Sequence, residues 1–290
     1  MTPLELVAGS PALFVFLIVL LGLIVGSFLN VVIYRLPLMM EREWRSQCAE
    51  LLNQPDPDAD KPALTLWGPR SQCPSCGHLI RAVENIPLFS YLRQRGRCAH
   101  CGAGIGVQYP LVEAASGILA GLIAWQLGFG WPAAAALIFT WMLLAASVID
   151  FRTQLLPDNL TLPLLWLGLL AALFGLFADL PGAVIGAMAG YLSLWSVYQI
   201  FRLLTGKEGM GHGDFKLLAA LGAWTGWQYL VTIIILSSLV GAICGLALMV
   251  FQGRDRRIPM PFGPFLAAAG WLVLLWGEAI NRAYLNWMGF

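Results

Sequence analysis

Two aspartates stand where apolar runs meet charge. Asp150 closes the stretch Ala145-Ala146-Ser147-Val148-Ile149 just ahead of Phe151-Arg152, and Asp214 lies in Gly211-His212-Gly213-Asp214-Phe215-Lys216, directly before a second apolar run. An Asp at membrane depth costs about 2.5–3.5 kcal/mol on insertion scales, so its presence there marks a functional candidate. Two carboxylates that face each other share one proton, because like charges a few ångströms apart do not both ionise. The ionised member then takes a proton from water while the neutral one donates to a substrate carbonyl, which is aspartyl-protease chemistry. In that reading Gly211, Gly213 and Lys216 support the loop around Asp214. Other roles remain open from spacing alone. A buried acid also suits a proton relay. Asp150 could balance Arg152 or mark a helix end, Asp158 after Pro157 could do the same, and Asp214 could cap the following helix.

Four cysteines form the second constellation. Cys73-Pro74-Ser75-Cys76 and Cys98-Ala99-His100-Cys101 are two CxxC knuckles of the kind that presents four thiolates to one structural Zn2+. Gly77 and Gly102 follow the two knuckles where a tight turn needs them. The alternatives are a pair of disulfides, which a reducing compartment disfavours, and a metal-free or redox role for the thiols. Four sulfur ligands leave a metal no open position, so the expected role is structural. His78 and His100 flank the cluster and are expected at the surface, not as ligands. Cys48 and Cys244 are single thiols.

The elements that position these groups follow from composition. Of 290 residues, 59% are hydrophobic and only 11% charged, with mean hydropathy +0.74. Soluble chains carry about 25% charged residues, so the expected class is an all-α polytopic membrane protein embedded in a lipid bilayer. A net charge of +1 argues against a nucleic-acid binder. The first run, Leu6–Tyr34, lacks a basic segment before it and is too long for a cleaved signal peptide, so it is expected to be retained. Residues 35–109 hold nine of the 17 basic residues and five of the six cysteines, and form the one candidate for a water-exposed domain. Beyond Glu113 the apolar chain is broken by Gly128-Phe129-Gly130-Trp131-Pro132, by Ala178-Asp179-Leu180-Pro181-Gly182, and around Gly222, Gly226 and Gln228. These breaks predict about eight transmembrane helices: residues 1–34 as the first, 35–109 as a small cytoplasmic zinc-ribbon-like domain between helices one and two, and 110–290 as the transmembrane domain carrying the aspartates. With both termini outside, every Lys and Arg except Arg282 falls on the cytoplasmic side, including Arg254, Arg256 and Arg257. A seven-span count sends those three to the other face.

Several segments together resemble one family. Gly26-Ser27-Phe28-Leu29-Asn30 through Arg35-Leu36-Pro37, the cysteine domain with Asn85-Ile86-Pro87-Leu88-Phe89 and Tyr109-Pro110-Leu111-Val112-Glu113, Asp150 through Asp158, the GxGD segment and Pro261-Phe262-Gly263-Pro264-Phe265 are similar to the type IV prepilin leader peptidases. The resemblance covers nearly the whole chain. It implies a multi-pass enzyme of the bacterial inner membrane, N-terminus periplasmic, that cuts the basic leader from prepilins and type II secretion pseudopilins at the cytoplasmic face. It places the family's two catalytic aspartates on Asp150 and Asp214, within the GxGD class of intramembrane proteases. The complete four-cysteine motif implies the bifunctional members, which then methylate the new N-terminal amine with S-adenosylmethionine. No Rossmann unit is present to hold that donor, and Gly102-Ala103-Gly104-Ile105-Gly106 reads as a flexible knuckle exit. Its site rests on the resemblance, with Asn30 and Glu113 as polar groups near helix ends that could serve it. Acidic Asp158 and Glu208 are expected to attract a basic leader. The rival readings are a proton-coupled transporter and a zinc-stapled scaffold.

Overall fold

The computed structural model describes residues 9–207, 210–252 and 260–288. Glu208, Arg254, Arg256 and Arg257 lie outside them. The chain divides into two compact units, Met1–Phe129 and Gly130–Phe290.

The first unit is built on α1 (Pro11–Leu51). At about 1.5 Å per residue its 41 residues reach roughly 60 Å, twice a hydrocarbon core of about 30 Å. It does not stop at Arg35, where the composition changes. Met39 to Leu51 is made of good helix formers, tied by i,i+4 contacts between Glu41 and Arg45 and between Glu43 and Gln47. Pro37 is accommodated inside it. The expected boundary between residues 34 and 35 is thus a change of solvent-facing chemistry within one continuous helix.

After a loop come the short α2 (Phe89–Arg93) and α3 (Gln108–Leu127). Helix α3 packs on α1 through small residues. A Cβ on Gly22 would lie 2.8 Å from Ala120 Cβ, one on Gly26 2.8 Å from Glu113 Cα, and one on Gly121 2.7 Å from Val19. Gly22 and Gly26, like Gly117 and Gly121, stand four apart, the spacing that lets membrane helices approach closely. Ser116 Oγ adds a buried hydrogen bond to the Gly22 carbonyl at 2.5 Å. Helix α3 therefore groups with α1, a different division from the expected one at residue 110.

The second unit holds α4 (Trp131–Thr153), α5 (Asp158–Leu173), α6 (Leu180–Thr205), α7 (His212–Thr225), α8 (Leu230–Gln252) and α9 (Gly263–Met288). The expected breaks are real. Gly128 ends α3 at φ +67°, Asp179 caps α6 by accepting the Gly182 N–H, and Gly226 at φ +85° separates α7 from α8. Six of the described helices are long and apolar enough to cross a membrane, and α5 and α7 are shorter. Helix α7, only 14 residues, is enclosed by α5, α6 and α9, which explains why it is apolar on every side from Leu217 onward. The backbones of α6 and α7 nearly touch: a Cβ on Gly186 would meet the Gly222 carbonyl oxygen at 2.3 Å. Trp224 Nε1 crosses to the Leu164 carbonyl of α5 at 2.8 Å, and Trp271 Nε1 of α9 to Thr140 Oγ1 of α4 at 2.9 Å, so these two indole donors are satisfied, whereas the buried Trp141 Nε1 of α4 has no hydrogen-bond partner.

Candidate functional site

Asp150 lies one turn from the end of α4, whose last carbonyls are closed by Gln154 in the left-handed conformation. Its carboxylate is buried and Oδ2 accepts the Gly263 N–H at 3.0 Å. That amide opens α9, where helical N–H groups have no partner within the helix. A Cβ on Gly263 would sit 2.6 Å from Asp150 Oδ2, so glycine is what permits the contact.

Asp214 is the third residue of α7, not its cap, which is Gly211. It too is buried, and close enough to Asp150 for the two charges to interact. Leu156, in the α4–α5 turn, ties the arrangement together. A Cβ on Gly213 would lie 2.6 Å from Leu156 Cβ, and one on Gly263 3.2 Å from Leu156 Cδ1. The same leucine therefore packs against the neighbour of one aspartate and the backbone partner of the other. Phe215, fully buried between Tyr191, Tyr198 and His212, fixes the rotation of α7 from the α6 side.

The sequence-predicted loop residues take three roles. Gly211 caps, Gly213 admits Leu156, and Lys216 forms a two-oxygen ion pair with Asp158, both contacts at 2.7 Å. Asp158, expected to attract a basic leader, is thus paired with Lys216 across two helices. Gly263 and Leu156 went unassigned from sequence. Pro264 beside Gly263 suits the first turn of a helix, but such a pattern does not say which carboxylate takes the free N–H.

In the first unit the four thiols converge. The sulfurs of Cys73, Cys76, Cys98 and Cys101 all lie within 4.8 Å of one another, and Cys73 and Cys101 are 3.9 Å apart. Tetrahedral thiolate ligation at about 2.3 Å requires sulfurs about 3.8 Å apart, so the set fits a metal ion. All six cysteines are free thiols, which removes the disulfide alternative in this structure. The two knuckles are built alike. The Cys73 N–H reaches the His78 carbonyl and the Cys98 N–H the Ala103 carbonyl, each beside an isolated antiparallel bridge, with Gly77 at φ +70° and Gly102 at φ +72°. Backbone N–H groups of Ser75 and Cys76 lower the Cys73 thiol to about 6. The His78 N–H favours the Cys76 thiolate, but lost solvent and the neighbouring sulfurs outweigh it and push that thiol up to about 12. His78 and His100 stack on each other at 5.2 Å, outside the sulfur set.

Residues 20–127 match the bacterial peptidase A24 N-terminal domain, and residues 137–246 match the type IV leader peptidase family. A protein of Stutzerimonas stutzeri named prepilin leader peptidase/N-methyltransferase is 57% identical over 99% of both chains. The chain belongs to the type IV leader peptidase family. Relatives carrying the same printed name in Pseudomonas aeruginosa and Aeromonas hydrophila are 57% and 56% identical, covering 99% and 98% of both chains. No solved structure matches the chain. The two matched segments of this family member fall on either side of the break between its two structural units.

Proposed function

We propose that this member of the type IV leader peptidase family removes the leader from prepilins and type II secretion pseudopilins and then methylates the new N-terminal amine. Full-length identity of 57% to proteins named for both activities carries that reading, and favours it over a transporter or scaffold.

For cleavage, Asp150 and Asp214 act as a pair that titrates as a unit. The ionised carboxylate takes a proton from water as the water attacks the scissile carbonyl, and the neutral one donates to the carbonyl oxygen. Burial of both acids keeps bulk solvent from screening these transfers. The Gly263 N–H holds Asp150 in orientation, and Leu156 sets the approach of the Gly213–Asp214 backbone. A substrate with a basic leader followed by an apolar helix meets such a site at the bilayer edge without leaving the lipid. Counting Lys and Arg supports an N-out orientation, with both the aspartates and the cysteine ribbon at the cytoplasmic face of the inner membrane. Cys73, Cys76, Cys98 and Cys101 would hold one structural Zn2+, whose full thiolate shell leaves no position for substrate. S-adenosylmethionine supplies the methyl group.

The experiment is intact-mass analysis of prepilin incubated with detergent-purified protein and S-adenosylmethionine, beside Asp150→Asn and Asp214→Asn. Leader loss plus one methyl in the wild type, and no cleavage by either variant, is the expected result. Cleavage by both variants at the wild-type rate removes the aspartates from the mechanism, and an unmethylated product removes the second activity.

A further inference from the structure

Where α1 and α3 meet most closely, the seam is polar. Gly26 lies against Glu113 so tightly that a Cβ would stand 2.8 Å from Glu113 Cα. One turn along α1, Asn30 is 4% exposed, and its Nδ2 donates to the Gly26 carbonyl at 3.3 Å and the Tyr109 carbonyl at 3.0 Å. Both partners are acceptors, so the amide is not reversible, and Oδ1 is left buried without a hydrogen bond. One turn from Tyr109 on α3, the buried Glu113 carboxylate accepts the Leu88 N–H at 2.9 Å and lies against the Ser27 side chain. No ion pair among the described residues includes Glu113. The Ser27 side chain of α1 and the Leu88 backbone, which contact it, are both neutral.

A buried carboxylate without a cation, beside an amide oxygen without a donor, is half of a recognition site. The missing half is a group rich in N–H donors and positively charged. A primary ammonium has three donors, no acceptor and one positive charge. Leaving the Asn30 oxygen buried without a donor is unfavourable, and such a ligand removes that cost.

We propose that Asn30 and Glu113 hold the free N-terminal amine of the cleaved substrate and that Glu113 is the base that deprotonates it for methylation. This rests on the methyltransferase reading above. The ammonium gives a proton to the Glu113 carboxylate. The freed nitrogen lone pair forms a bond to the methyl carbon of the sulfonium donor, while the electrons of the breaking C–S bond stay on sulfur, leaving a neutral thioether. The product is a protonated secondary amine, and Glu113 returns its proton to solvent. Asn30 accepts an N–H throughout and so orients the nitrogen.

The first test uses leaderless pilin with a free or an acetylated N-terminus, and measures its binding to the full-length protein in detergent without methyl donor. The wild type binds the free-amine form at least about tenfold more tightly, as expected for a charge-assisted contact, and Asn30→Ala and Glu113→Gln lose that preference. Equal affinity of the wild type for both forms overturns the proposal without depending on any variant. The second test follows methylation of leaderless pilin against pH. Glu113→Gln keeps an acceptor for the Leu88 N–H but not a base. Its rate falls on the order of 10²-fold near neutral pH and recovers above about pH 9, where an α-amine of pKa about 7.7–8.0 is already neutral. A loss equal at every pH assigns Glu113 a structural role and overturns the proposal. A wild type that cuts prepilin but never methylates leaderless pilin instead overturns the reading on which the proposal rests.

Discussion

Around the four cysteines almost nothing is buried: the 3-10 turn Ala82–Asn85 and helix α2 bury no residue at all, and of the four clustered cysteines only Cys73 is buried. In α7, eleven of fourteen residues are buried, Asp214 among them. The ribbon is a water-facing segment too small to build a core, and four convergent thiolates take the place of one. Helix α7 lies among other apolar helices, where hydrophobic transfer gives little preference for one neighbour over another. Glycine-permitted contact and buried hydrogen bonds select its position instead. Chelation should therefore undo one region, and overpacking the other.

The largest expected effect is chemical. Asp150→Asn and Asp214→Asn should each lower leader cleavage on the order of 10³-fold or more while metal content stays at the wild-type level. A variant that loses metal as well would break the separation between the two regions. Next is metal removal. Chelation, or Cys98→Ser, should speed proteolysis within residues 70–105 and leave α-helical circular dichroism nearly unchanged. Acid should do the same. Metal binding needs deprotonated thiols, so protons compete with the metal and it is released as pH falls. Metal content that does not fall with acid in a zinc-specific dye assay would contradict thiolate ligation.

Overpacking comes third. Gly222→Val places atoms where even a Cβ would be 2.2 Å from the Gly186 carbonyl oxygen, and should destabilise the second unit by at least about 1–3 kcal/mol in detergent melts. Gly102→Ala has open space around it but a φ of +72°, and should cost about 1–2 kcal/mol that added metal offsets. Added metal rescuing Gly222→Val to the same extent would erase the contrast. The smallest effect is Lys216→Met. Its partner Asp158 is 53% exposed, so the pair is worth about 0–1 kcal/mol, read as a melt shift of a few degrees at most.

Much of the architecture is legible in residue types. Gly128, Asp179 and Gly226 ended or began helices where a φ above zero or a capping oxygen was needed. The sharp change of charge at Arg35 suggested an element boundary that the backbone does not observe, because helix propensity and i,i+4 pairing are indifferent to whether lipid or water lies outside. Arg35 itself is buried, its guanidinium donating to the Thr65 and Pro69 carbonyls, a placement no local pattern announces. Asp158 shows the same limit. Its acidity was readable, but its partner lies 58 residues away on another helix.

From sequence alone came the membrane class, the two CxxC knuckles and the two aspartates, because hydropathy, ligand chemistry and the cost of a carboxylate in lipid belong to residue types and their local spacing. Only tertiary structure could set the Gly263 amide on Asp150 across 113 residues, place Leu156 against both sides of the pair, and leave Asn30 Oδ1 without a donor. Those relations depend on which helix faces approach within a few ångströms, and glycine spacing permits such an approach without naming the partner.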